Sequence, residues 1–119
     1  MDCLFCKIIN GEIPSDCIYE DELVYAFNDI DKQAPVHFLI VPKEHIKSCD
    51  DLNETHKDLI GHIFLVAQKI AKEKGLENGY RIVNNCKEDG GQTVEHLHFH
   101  VLGGRSMQWP PGWFFSISA

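Results

Sequence analysis

No apolar run in this 119-residue chain is longer than Ile63–Ala67, far short of the roughly 20 residues a membrane helix needs. No basic stretch followed by an apolar one opens the sequence, so no signal-peptide pattern is visible and a cytoplasmic protein is expected. Positive charge is scarce: 11 Lys and Arg against 18 Asp and Glu give a net charge of −7 and a pI near 5.4. Such a chain repels polyanions at long range, which argues against nucleic acid and anionic membrane surfaces as partners. Neither a G-x-x-x-x-G-K-S/T nor a G-x-G-x-x-G pattern occurs, so the usual cradles for triphosphates and dinucleotides are absent. The five cysteines, Cys3, Cys6, Cys17, Cys49 and Cys86, are odd in number. Without an export signal they read as reduced thiols or metal ligands, not as a disulfide framework. Gly and Pro, 9 and 5 residues, occur at ordinary frequency, which excludes collagen-like and low-complexity chains.

What is present reads as one domain over residues 1–119, with 113–119 as a C-terminal tail. Phe5 to Asn10 predicts a short N-terminal helix closed by Gly11 and Pro14. Cys17–Tyr19 and Val24–Asn28, around the acidic turn Glu20-Asp21-Glu22, predict a hairpin, and Val36–Val41 a strand between Pro35 and Pro42. Leu59, Ile63, Val66, Ala67 and Ile70 fall on one face of a long helix, with Asn53 as its expected N-cap and Gly75 just past its end. Strands follow at Tyr80–Val83 and Val94–Leu102. Strands on both sides of one long helix predict an α+β fold with a mostly antiparallel sheet.

The chemistry concentrates in His96-Leu97-His98-Phe99-His100-Val101-Leu102. On a strand the three histidines share one face, roughly 6.5 Å apart, while Leu97, Phe99 and Val101 bury the other. A solvated polar face is the bland alternative, and strict alternation of three imidazoles argues against it. Asp89-Gly90-Gly91-Gln92-Thr93 lies directly upstream, where two glycines let successive N–H groups converge on a phosphate or carboxylate. Cys3-x-x-Cys6 lacks the preceding strand of a thioredoxin-like motif. With His45 and His96 it would complete a closed Cys₂His₂ zinc site; two incidental buried thiols are the alternative. Asp29, between Phe27 and Ile30, suits a sugar beside a flat base, although composition alone favours an ordinary strand-end turn.

These motifs together resemble the histidine triad (HIT) superfamily, and its Hint branch in particular. Arg81-Ile82-Val83-Asn84-Asn85, Gly90-Gly91-Gln92-Thr93-Val94, Gly103-Gly104-Arg105 and Trp109-Pro110-Pro111-Gly112 carry the likeness, as do Ala34-Pro35-Val36-His37-Phe38 and Pro42-Lys43-Glu44-His45-Ile46. The resemblance implies a HIT-like fold: a five-stranded sheet with one long and one short helix, paired with a second copy into a continuous sheet. It implies a purine nucleoside phosphoramidate hydrolase with no organic cofactor, in which His98 attacks phosphorus and His100, His37 and Thr93 assist. Phe5, Ile8, Ile13, Phe27, Ile30 and Leu39 would form the base pocket and Asp29 would bind the ribose, overriding the bland reading of that cluster. Asn85, Gly91, Gln92 and Val94 would contact the nucleotide, and Cys3, Cys6, His45 and His96 would hold structural zinc.

Asn28 departs from the family's frequent histidine, and the aromatic tail from Trp113 to Ala119 is expected to pack on the partner subunit or a pocket. Two other readings compete. One is a zinc hydrolase with its metal on His37, His96 and His98; the other is a zinc-containing nucleotide-binding adaptor without turnover.

Overall fold

The computed structural model describes residues 3–112, so the aromatic tail lies outside the described residues. Helix α1 (Leu4–Ile9) leads to a hairpin of β1 (Cys17–Glu20) and β2 (Val24–Asn28), followed by β3 (Val36–Pro42). Two 3-10 turns, Cys49–Asp51 and Glu54–His56, precede α2 (Lys57–Glu73); β4 (Tyr80–Val83) and β5 (Phe99–Gly103) complete the order. One sheet forms in the order β1-β2-β3-β5-β4, every neighbouring pair antiparallel. This is the α+β architecture that the residue pattern predicts. Among the described residues, no helix is long and apolar enough to cross a membrane.

Strand alternation divides the core between the two faces of the sheet. Val24, Ala26, Phe38, Ile40, Phe99 and Val101 pack against Ile63, Val66, Ala67 and Ile70 of α2. Their neighbours Tyr25, Phe27, Leu39 and Val41 face the other way and cover Phe5 and Ile8 of α1. Strands β2 and β3 are therefore apolar at almost every position, because both their faces are covered. His37 shares its face with Leu39, and His100 pairs with Leu39 across the ladder, so the imidazoles join the α1 side.

Asn53 caps the Glu54–His56 turn, its side chain accepting from Thr55 N–H, and that turn runs into α2. The expected cap is thus one short turn removed from the helix proper. At the other end Gly75 takes φ 77°, and the N–H groups of Gly75 and Leu76 bond Lys72 and Ala71 carbonyls, a Schellman ending.

One boundary differs from expectation. The ladder of the last strand starts at Phe99, not Val94. Upstream, Leu97 N–H donates to Ile46 O at 2.6 Å and His96 N–H to Val94 O at 2.9 Å, so the chain bends along the loop after β3. Leu97 and His96 are nonetheless fully buried. Burial keeps the alternation where the ladder is lost.

Loop 84–92 is folded tightly onto itself. A Cβ at Gly90 would lie 2.5 Å from Cys86 O and 2.6 Å from Cys86 N, both rigid backbone. At Gly103 it would meet only the Leu76 side-chain tip, at 2.7 Å. Gly90→Ala is expected to cost about 1–3 kcal/mol by overpacking, and Gly103→Ala less, because Leu76 can turn aside. Thermal melts of the two variants check this; equal melting temperatures would contradict it.

Candidate active site

β3 and β5 place His37 and His100 side by side, and the buried segment before β5 brings His98 against His100, with ring centroids 5.2 Å apart. The hydrogen bonds fix where each proton sits. His98 Nδ1 lies 2.7 Å from the carbonyl oxygen of His96, which can only accept, so Nδ1 carries the proton. His98 Nε2 is left with the lone pair. Gln33 N–H donates to His37 Nδ1 at 3.0 Å, so the His37 proton is on Nε2, 2.9 Å from His100 Nδ1. His100 accepts there and presents an Nε2–H donor. Asp29 Oδ2, 3.4 Å from His37 Nε2, steadies the same proton.

This assignment requires neutral rings, and burial keeps them so. His98 is 3% exposed, and burial lowers its pKa below the usual 6.5. Burial, then the neighbouring His98 and His37, lowers His100 to about 4. His37 is also lowered by burial, against the opposing pull of Asp29 and Asp31. A nucleophilic lone pair and a hydrogen-bond donor thus coexist near neutral pH without net charge.

His98 and His100 line a cavity of about 310 Å³. Phe5, Ile8, Ile13, Phe27, Asp29, Ile30, Leu39 and Thr93, all singled out in the sequence, line it too, with Ile30 fully exposed at its rim. Leu4, Pro14, Ser15, Asp16 and Asn28 complete the lining. Asn28 donates its amide to Asp16 Oδ2 at 2.8 Å. Asn85, Gly91, Gln92 and Val94 are not part of this lining. Gln92 braces its own loop instead, donating both amide hydrogens, to Lys47 O and Val94 O, and accepting from Lys87 N–H. Sequence reasoning passed over Asn84, whose amide donates to His98 O at 2.9 Å. Only the register of the fold reveals that contact.

Behind Phe5 lies a second cluster, in which donor atoms of Cys3, Cys6, His45 and His96 all fall within 4.8 Å of one another. His96 Nδ1 is 3.4 Å from Cys3 Sγ and 3.6 Å from Cys6 Sγ; His45 Nδ1 is 3.3 Å from Cys6 Sγ and 3.1 Å from His96 Nδ1. A tetrahedral ion with zinc–ligand bond lengths needs separations of about 3.3–3.8 Å. His96 Nε2–H donates to Pro42 O at 2.8 Å, which turns the Nδ1 lone pair into the cluster. The residues fit a closed metal site. Burial, then the adjacent Cys3 thiol, pushes the Cys6 thiol up to about 11, so it stays neutral unless a cation stabilises the thiolate. A catalytic metal on His37, His96 and His98 does not match this arrangement, because His96 turns into the cysteine cluster. Asp29, His37 and His100 do converge, but the two imidazoles bond each other.

A five-stranded antiparallel sheet, with a long helix on one face and buried alternating histidines on the other, defines an α+β protein of histidine-triad architecture. Comparison with known proteins agrees. Residues 2–109 match the family model for the scavenger mRNA decapping enzyme C-term binding region. An uncharacterized HIT-like protein of Synechococcus elongatus is 51% identical over 111 residues, covering 93% of this chain and 97% of its own. The crystal structure of a HIT family hydrolase from Legionella pneumophila gives a TM-score of 0.92 at 51% identity, over 93% of this chain and 100% of that one. A histidine triad protein from Clostridium difficile gives 0.87 at 53% identity, over 91% and 95%. The chain belongs to the histidine triad superfamily.

The lowered histidines make the fold sensitive to acid. When the folded pKa lies below the unfolded one, the unfolded chain takes up the proton first as pH falls. Stability carried by His37 and His100 is therefore complete above 6.5 and is lost as the pH falls, for His100 down to about 4. Asp21 acts later. Burial pushes it up, but bonds from His62, Val24, Leu23 and Tyr19 hold it at about 2, so its loss begins only below 3.8. The melting temperature is expected to fall from pH 7 to pH 5, less steeply in His100→Asn. A flat profile would contradict the neutral-ring assignment.

Proposed function

We propose that this protein hydrolyses the P–N bond of purine nucleoside 5′-phosphoramidates, as a homodimer of the Hint type with His98 as nucleophile. The observation that carries the reading is the proton assignment around the cavity: His98 offers a bare Nε2 while His100 beside it offers an N–H. In the first step the His98 Nε2 lone pair attacks the α-phosphorus. The P–N bond breaks with its electron pair going to nitrogen, which takes up a proton and leaves as the amine. In the second step water attacks phosphorus and releases a proton, replacing the one the amine took up, while the P–Nε2 bond breaks and its pair returns to His98 as the nucleoside monophosphate departs.

The other residues around the cavity support those steps. His100 Nε2–H stabilises charge on the phosphoryl oxygens, and the Thr93 hydroxyl assists proton delivery to the leaving nitrogen. His37 acts through His100, fixing its tautomer. The apolar walls from Phe5, Ile8, Ile13, Phe27 and Leu39 suit a purine, and the Asp29 carboxylate suits ribose hydroxyls. Cys3, Cys6, His45 and His96 would hold a structural zinc, which ties chain segments together and supplies no step of the hydrolysis. Phe64 and Leu65, left exposed on α2, offer apolar surface for a second copy.

Release of AMP from adenosine 5′-phosphoramidate tests the reading. Wild type is expected to turn over, with or without a zinc chelator. His98→Asn should lose more than about a thousandfold in kcat, the scale of losing a nucleophile, while still binding AMP. A folded wild type that binds AMP but releases none from this substrate would overturn the proposal.

A further inference from the structure

The geometry points to the Cys3, Cys6, His45 and His96 cluster as a clasp coupled to the cavity: a zinc-like divalent metal bound there and a nucleotide bound in the cavity tighten each other's binding. This inference rests on the nucleotide-binding reading above. It concerns residues whose positions link the two sites.

Helix α1 has 6 residues, too few to persist as an isolated helix in water. It nonetheless supplies Leu4, Phe5 and Ile8 to the cavity wall. Buried Phe5 and Ile8 hold it to the sheet, and the two cysteines flank Phe5 in sequence, where Cys6 N–H also bonds Cys3 Sγ at 3.3 Å. The other two donors stand on the body of the fold. His45 follows β3, and the His96 ring is pinned to Pro42 O. A metal joining all four therefore fastens the short α1 segment of the cavity wall to the body of the fold.

His96 also makes the link to the chemistry. Its ring belongs to the clasp while its carbonyl accepts from His98 Nδ1–H at 2.7 Å between nitrogen and oxygen. Phe5 closes the circuit, edge-on to His96 at 5.9 Å, to His98 at 5.0 Å and to Phe27 at 5.7 Å between centroids. Closing the clasp sets Phe5 against the nucleophile and completes the base wall. A base seated on that wall holds α1 down and brings the cysteines to the imidazoles.

The donor set selects the ion. Two thiols and two imidazoles suit zinc and exclude magnesium and calcium, which take oxygen ligands. Entry does not require passage through the nucleotide site. A separate cavity of about 440 Å³, lined by Cys3, His45, Lys47, Thr93, Val94 and Glu95 among others, opens onto the cluster. Thr93 lines both cavities.

The test uses reduced full-length protein, zinc-loaded and chelator-stripped. Calorimetry measures AMP affinity for each form, a chromophoric chelator measures zinc affinity with and without AMP, and hydrogen exchange follows residues 4–9. AMP is expected to bind about tenfold tighter to the zinc form, and zinc tighter with AMP by the same factor, since coupling is reciprocal. Exchange over residues 4–9 should slow with zinc. Phe5→Leu keeps all four ligands and should bind zinc with the coupling reduced toward unity. Equal AMP affinities for both forms at one zinc per chain would overturn the clasp and leave nucleotide binding standing. Failure to bind zinc would overturn it as well. AMP binding to neither form would overturn the nucleotide reading and the coupling with it.

Discussion

The hydrogen bond from His98 Nδ1 to the carbonyl of His96 is the contact on which the site depends. It fixes one proton, and the proton fixes which nitrogen keeps its lone pair. With that bond broken the ring could rotate or take the other tautomer, and the lone pair would no longer be directed by the backbone. The carbonyl can serve because the chain bends before β5 instead of running as ladder. In a regular antiparallel strand alternate carbonyls are spent on the neighbouring strand. Leu97 holds the bend by burying its side chain and donating its N–H to Ile46 O. Asn84 steadies the carbonyl two residues further on, that of His98 itself.

In this chain of net charge −7, no Lys or Arg among the described residues lines the cavity, so an anion bound there would meet imidazoles instead. Those imidazoles are kept neutral by burial and oriented by one another. The arrangement is coherent only if no ring gains a second proton. A second proton on His100 Nδ1 would face the His37 Nε2–H at 2.9 Å, and one on His37 Nδ1 would face the Gln33 N–H at 3.0 Å, so either breaks a bond that orients the pair. Burial of the rings is therefore a functional constraint as well as a packing one. The same sheet that buries Leu39 beside His100 supplies it.

Periodicity and turn residues were enough to read most of the fold from sequence. The hairpin, the strand between Pro35 and Pro42, the amphipathic helix and its Gly75 ending all leave local signals, and local signals survive folding. The start of β5 was misjudged for a physical reason. Alternating burial and ladder pairing usually coincide, and here burial continues through Leu97 and His96 where pairing stops. The apolar residues of the cavity lining were legible only through the family resemblance, because composition around Asp29 by itself favours an ordinary strand-end turn. The roles of Asn84 and Gln92 were not, since both depend on which loop carbonyls lie within reach. Sequence could only offer His45 and His96 as partners for the cysteines; the folded chain brings Cys3 Sγ within 3.4 Å of His96 Nδ1, 93 positions away.

The most direct test of the account is to trap the covalent intermediate. Wild type mixed with adenosine 5′-phosphoramidate, quenched in mid-turnover and digested, should yield a peptide carrying one AMP moiety on His98 in mass spectrometry. AMP release at full rate with no His98 adduct at any quench time would contradict nucleophilic attack by this residue and return the chemistry to an activated water.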